Sequence, residues 1–157
     1  MIPADVVALC ADRFGIQELD PENGPWVPRE TVVALARALK DELGFNFFVY
    51  CAAAHYLPVE DEENPQEEHY VVAYRLRRLG PGTESIGFQI RVPIGETTPS
   101  LVSVFAGADW QEREQYDLVG VVFAGHPDLR RIMMPEDWPG HPLRRDYAIE
   151  TRHHPWR

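Results

Sequence analysis

The sequence predicts an α/β (α+β) fold: N-terminal helices packed on a small mixed or antiparallel sheet, followed by an extended C-terminal arm. Three observations predict it. Two stretches within the first 44 residues carry apolar side chains at helical spacing, and two later stretches alternate between apolar and polar residues. Beyond Phe123 the periodicity stops, although large apolar residues continue. A chain of 157 residues fits one domain with one core. The expected organisation is an α/β domain over 1–123 and a Pro- and Arg-rich docking arm over 124–157.

The first helix is expected over Asp5 to Phe14 (DVVALCADRF), stopped by Gly15. The second runs over Pro28 to Leu43 (PRETVVALARALKDEL), with Pro at its start and Gly44 beyond its end. Val32, Leu35, Ala36 and Leu39 form its apolar stripe. Phe47 to Leu57 (FFVYCAAAHYL) is continuously apolar, and its Phe, Val and Tyr mark the first part as a buried strand. The acidic run PVEDEENPQEEH that follows is a solvated loop.

Two strands come next. Tyr70, Val72, Tyr74 and Leu76 share one face of the first, and Ile86, Phe88, Ile90, Val92 and Ile94 share one face of the second. The loop LGPGTES joins them as a hairpin. Phe105, Ala108, Glu112, Tyr116 and Val119 then fall at helical steps, so VFAGADWQEREQYDLVG reads as a third helix ended by Gly120. From Pro127 to Pro155 there are five prolines and no period. Yet Leu129, Ile132, Met133, Met134, Trp138, Leu143, Tyr147 and Trp156 are too apolar for a free linker. Such a segment needs a surface to lie on, a partner's or its own domain's.

Composition excludes several function classes. The net charge is −10, and residues 1–70 carry 14 acids against 4 bases while residues 71–157 carry 11 of each. A duplex needs a basic stripe, so nucleic acid is not an expected partner. Cys10 and Cys51 are the only cysteines, too few for a four-thiolate iron–sulfur cluster or a Cys-rich zinc site. There is no basic n-region before an apolar stretch, and nothing approaches the roughly 18 apolar residues of a membrane span. Direct membrane insertion is therefore not expected.

The stretch WQEREQYDLVGVVFAGHPDLRRIMMPEDWPGHPLRRDY, Trp110 to Tyr147, is the densest in chemistry. As an enzyme site it offers the carboxylates of Glu112, Glu114, Asp117 and Asp128 and the imidazoles of His126 and His141. Every carboxylate has an Arg close in sequence, which favours plain ionisation over a raised pKa. No nucleophile signature surrounds Ser100 or Ser103. As a metal site, His126 and His141 lie 15 residues apart with Asp128, Asp137 and Asp146 nearby, without a recurring ligand spacing. Neither a Gly-x-Gly-x-x-Gly nor a Walker A sequence is present, so no dinucleotide or phosphate cradle is expected. An interface remains. Each His-Pro pair starts a turn and is followed by Arg-Arg, which displays guanidinium groups at fixed points. The open alternative is an arm folded back on its own domain.

The same residues resemble the signature of a known family. Glu-Arg-Glu, an aromatic and Asp (Glu112–Asp117), then Gly-His-Pro, Leu-Arg-Arg-Ile and Gly-His-Pro-Leu-Arg with Asp146 and Tyr147, are similar to the thirty-kilodalton subunit family of NADH:quinone oxidoreductase. That enzyme is respiratory complex I, and the family is shared by the bacterial and mitochondrial forms. Where the family tends to show an acidic residue near a strand end, this chain reads CAAAHYL, with His55 near that place. The resemblance implies a peripheral subunit of the hydrophilic arm at the cytoplasmic face of the bacterial inner membrane. It would dock on the quinone-site subunit and the neighbouring iron–sulfur subunit, with no independent catalytic activity. FMN, iron–sulfur clusters and quinone would sit on other subunits, and this chain would hold no catalytic residue, cofactor or metal. The docking residues expected are Glu112, Arg113, Glu114, Tyr116, Asp117, His126, Pro127, Arg130, Arg131, Trp138, His141, Pro142, Arg144, Arg145, Asp146 and Tyr147. Similar subunits occur in membrane-bound hydrogenases and other donor:quinone oxidoreductases, so the electron donor stays open.

Overall fold

The computed structural model describes residues 2–148 apart from 62, 64 and 81. The expectations placed on Pro155 and Trp156 lie outside the described residues. The α+β class is as the sequence predicts.

Helix α1 spans Ala4–Phe14. Gly15, at φ 64°, ends it in the left-handed conformation that a side chain would resist. The N–H groups of Gly15 and Ile16 return to the carbonyls of Ala11 and Cys10 and close the last turn. A two-residue hairpin follows, β1 (Leu19–Asp20) and β2 (Gly24–Pro25). The Asp20 carboxylate accepts the N–H groups of Glu22 and Asn23 inside its turn. Helix α2 spans Val32–Asp41, four residues later than Pro28. The correction has a local cause: Thr31 gives both its N–H and its hydroxyl proton to the Pro28 carbonyl, making a turn rather than a first helical turn.

The main sheet is antiparallel, β3 (Phe47–Tyr56), β4 (His69–Arg78) and β5 (Glu84–Pro93), in that spatial order. The whole Phe47–Tyr56 run is strand, where only its first part was expected. A register shift between Phe48 and Tyr50 explains the missing alternation. The extra residue, Val49, lets Phe48 face inward, against Tyr74 and Phe105, while Cys51 also faces inward. Tyr70, Val72, Tyr74 and Leu76 on β4, with Ile86, Phe88, Ile90 and Val92 on β5, are all buried. The Val, Leu, Ile and Phe among them each contribute roughly 1.5–3 kcal/mol of transfer free energy. Ile94 departs from the expected face. β5 ends at Pro93, the Glu96 N–H turns back to the Pro93 carbonyl, and Ile94 is left exposed.

Val6 and Cys10 of α1 and Val32, Leu35, Ala36 and Leu39 of α2 share one core with the inner face of the sheet. Strand β6 (Thr97–Pro99) pairs in parallel with β7 (Val122–Ala124), and helix α3 (Ala108–Val119) lies between them in sequence. Residues 101–107 are turns, so α3 starts later than the periodicity suggested. Among the described residues, no helix is long and apolar enough to cross a membrane.

Candidate docking surface

Helix α3 is fastened to the free edge of the sheet by two glutamines. Gln111 Oε1 accepts the N–H of Cys51 at 2.6 Å, and Gln115 Oε1 accepts the N–H of Ala53 at 2.9 Å. Edge strands carry unpaired backbone donors, and here the helix satisfies two of them. Glu112, next to Gln111, turns the other way and is fully buried. It accepts the Ser100 hydroxyl at 2.6 Å and the Leu101 N–H at 2.8 Å. Burial pushes its carboxyl up to about 7, against the pull of those two bonds. The expectation that neighbouring Arg residues keep every carboxylate plainly ionised fails at this position. Arg113 is adjacent in sequence but is held elsewhere, over the Trp110 ring at 4.8 Å and against the Arg130 carbonyl.

Asp117 organises the segment that follows β7. Its Oδ2 accepts the N–H groups of Ile132, Met133 and Met134 at 3.0, 2.7 and 2.9 Å. Its Oδ1 meets Arg131 at 3.2 Å. Burial raises the carboxyl, but the three backbone donors and the guanidinium outweigh it and hold it below the usual range. The Asp117 carbonyl takes a proton from His141 Nδ1 at 2.9 Å, and the Leu118 carbonyl takes the Leu143 N–H at 2.8 Å. Gly120, at φ 94°, is required twice over. It ends α3 in the left-handed region, and a Cβ there would meet the His141 ring at 2.8 Å. Tyr116 meets the same ring edge-on.

The two His-Pro pairs act as turn formers. His126 Nδ1 accepts the Asp128 N–H at 3.0 Å, which puts the ring proton on Nε2, facing the Asp109 carbonyl at 3.2 Å. Pro127 is exposed at that turn and Pro142 is half-buried at the other. Arg144 reaches the far end of the sheet, bonding Tyr70 Oη, Glu68 at 3.2 Å and Asp146 at 2.7 Å. Asp146, bonded most strongly by Arg144, is held below the usual carboxylate range. His55, its imidazole buried, donates from Nε2 to Glu68 at 2.8 Å and accepts the Arg145 N–H on Nδ1.

Ligand atoms of His55, Glu68 and Asp146 lie within 4.8 Å of one another. The Arg144 guanidinium bonds both carboxylates and already supplies the positive charge there, so the cluster reads as an internal ion-pair network.

Residues 125–148 thus lie on their own domain, against α3 and the β3–β4 end of the sheet. Of the expected docking residues, the side chains of Glu112 and Asp117 are fully enclosed. Arg113, Arg131, His126, His141, Arg144 and Asp146 make intramolecular bonds. Glu114 and Trp138 are half-buried, and Tyr147 packs against Gly140. The Arg130 side chain is two-thirds exposed and, among the described residues, bonded only to its near neighbour Asp128. Also exposed are Trp110 at 65% on α3, and Met133 at 55% and Leu143 at 61% in the segment after β7. Trp110, Met133 and Leu143 were not among the expected docking residues. An apolar residue inside a charged run was the available signal for Trp110.

A family profile described as respiratory-chain NADH dehydrogenase, 30 Kd subunit, matches residues 25–153. The chain is 40% identical over 136 residues to the corresponding NADH-quinone oxidoreductase subunit of Geotalea uraniireducens, covering 86% of this chain and 78% of that one. It is 40% identical over 141 residues to that of Geobacter sulfurreducens, covering 89% and 83%. With that of Moorella thermoacetica it shares 38% over 126 residues, covering 80% and 79%.

Proposed function

The chain belongs to the family of the 30 kDa subunit of respiratory-chain NADH dehydrogenase, and from that premise we propose that it is a non-catalytic structural subunit of a proton-translocating NADH:quinone oxidoreductase. In this reading it is a peripheral subunit of the hydrophilic arm at the cytoplasmic face of the bacterial inner membrane. It docks against the quinone-site subunit and the neighbouring iron–sulfur subunit, and FMN, the clusters and quinone are carried by other subunits.

One observation carries the reading. The charged segment spends its buried polar groups internally, on Asp117, Arg131, His141 and Arg144, and thereby fixes a backbone from which Trp110, Arg130, Met133 and Leu143 stand exposed. Trp and Arg are the residue types in which interfaces concentrate their energy, and Met adapts to an irregular partner. A pre-ordered surface binds without the entropic cost of ordering a loose arm.

Affinity purification of the tagged chain from native membranes tests it. The quinone-site and iron–sulfur subunits should come with the NADH-oxidising module, and the eluate should reduce quinone with NADH. Companions of a hydrogenase or another donor system would move the protein to a related complex. Recovery of the chain alone would overturn the reading.

A further inference from the structure

The β3–β4–β5 sheet has a second face, and its residues do not suit water. An antiparallel sheet with one wet side alternates apolar inward and polar outward. On β4 and β5 the inward positions obey this rule, but the outward positions of β3 and β4 do not. Tyr50 pairs with Arg75, Ala52 with Ala73, and Ala54 with Val71, all pointing away from the core. Ala52 and Ala54 are exposed, and Tyr50 is 39% exposed. The β5 side of this face is covered by the turn between β1 and β2, which leaves no room for a Cβ at Gly87: it would meet the Asn23 carbonyl at 2.5 Å. The β3–β4 half stays open.

Charge marks the same half. The side chains of Arg75 and of the next outward residue on its strand, Arg77, make no ion pair or hydrogen bond among the described residues. Arg29, Arg78, Arg91 and Arg144 are each paired with carboxylates. The Arg37 and Arg145 side chains likewise have no ion pair among the described residues, but Arg37 lies on α2 and Arg145 in the segment after β7. Arg75 and Arg77 are the two that stand on this sheet face, beside its apolar patch, where carboxylates from outside can reach them.

We propose that the open half of the sheet is a second docking surface, separate from the α3 surface, and that its occupant is a flat apolar face with an acidic rim on a companion subunit of the same complex. The inference rests on the subunit reading above. A second copy of the chain is the poorer occupant, because a two-fold contact would bring Arg75 and Arg77 of both copies onto one patch.

Thiol labelling tests it, since Cys10 and Cys51 are buried, and burial pushes Cys10 up to about 11 and Cys51 well above the ordinary thiol range. Ala52→Cys, with Ala54→Cys as a second position and Leu143→Cys on the α3 surface, is labelled with a maleimide in the isolated full chain and in the purified complex. The expected result is at least tenfold slower labelling at position 52 or 54 in the complex. Arg75→Glu should also lower incorporation of the subunit at least tenfold, while the isolated chain keeps its melting temperature. Equal labelling at positions 52 and 54 in both forms, with position 143 protected, overturns the second surface alone. No protection at any of the three overturns the docking reading itself. Concentration-dependent protection in the isolated chain identifies a second copy and overturns the companion. Normal incorporation of Arg75→Glu overturns the acidic rim.

Discussion

In β4 and β5 the order comes from a repeated pattern: eight inward side chains, every second residue, are buried in one core. In residues 125–148 no pattern repeats, and the order comes from single atoms, three backbone N–H groups on one oxygen of Asp117, a ring proton on one carbonyl, one guanidinium spanning two carboxylates. The two regions should therefore fail differently. A sheet built on many equivalent contacts loses stability in proportion to the apolar volume removed. A segment pinned at a few atoms is lost whole when one pin is drawn.

Asp117→Ala against Leu76→Ala is the sharpest way to break that contrast. Removing Asp117 leaves three partly buried backbone donors and Arg131 without the Asp117 carboxylate, and loss of one partner of a buried charge pair costs roughly 3–5 kcal/mol. The loss should be local: protease cuts within 125–148 at native temperature while hydrogen exchange in β4 and β5 stays slow. Leu76→Ala, costing about 2–5 kcal/mol, should lower the melting temperature with no early cutting of that segment. If Asp117→Ala speeds exchange in the sheet as much as in the segment, the two regions are one cooperative unit.

Periodicity made the sheet legible from sequence. Tyr70 to Leu76 and Ile86 to Val92 announce their faces without help, and Gly15 announces a helix end, because the signals are local. The late start of α2 and the exposure of Ile94 had local causes, in turns onto Pro28 and Pro93, whereas the failures at the site were non-local. Gln111 and Gln115 look like solvated helix residues until β3, some 60 residues away, is set beside them. The same holds for His55, Glu68 and Tyr70, which join Arg144 and Asp146 across the chain. The bulge at Val49 hid the alternation of β3. In the family motif, residue types at their spacing were enough to recognise a surface-building segment, but not to tell a side chain that holds the segment, such as Arg131, from one that stands free of it, such as Arg130.

Glu112 gives the next effect in size, and it sharpens the contrast by pH. Its carboxyl is raised to about 7 in the folded chain, above the ordinary value of about 4.3, so folding takes up a proton between those values. Stability from this group is fully present below about pH 4.3. It declines as the pH rises and is gone above about pH 7, a loss on the order of 3 kcal/mol. Asp117 runs the other way. Its lowered pKa adds stability above the ordinary value near 3.9, and that stability is lost as the pH falls through the folded value. Glu112→Gln keeps the shape and should flatten the decline of melting temperature between about pH 4.3 and about pH 7. An unchanged slope in Glu112→Gln would mean that another group carries it.

Arg130 should give the smallest effect on stability. Its ion pair with Asp128 spans two residues on the surface at 2.9 Å, with both side chains at least half exposed, and such pairs contribute about 0–1 kcal/mol. Arg130→Ala should therefore leave the melting temperature and the protease pattern of the isolated chain where they were. Its consequence should appear only in the complex, because an exposed guanidinium held on a fixed backbone is placed for a partner's carboxylate or carbonyl. Truncating one member of a charge pair that becomes buried on docking costs roughly 2–5 kcal/mol, which on a native gel is a drop of at least tenfold in incorporated subunit at limiting concentration. Arg131→Ala is the control in the opposite sense. It removes a guanidinium that bonds Asp117 and the Gly140 carbonyl, so it should loosen the isolated segment first and weaken docking as a consequence. If Arg130→Ala opens the isolated segment to protease as Arg131→Ala does, Arg130 is one of the pins. Docking would then lose the Arg130 cation and would have to rest on other exposed residues such as Trp110, Met133 and Leu143.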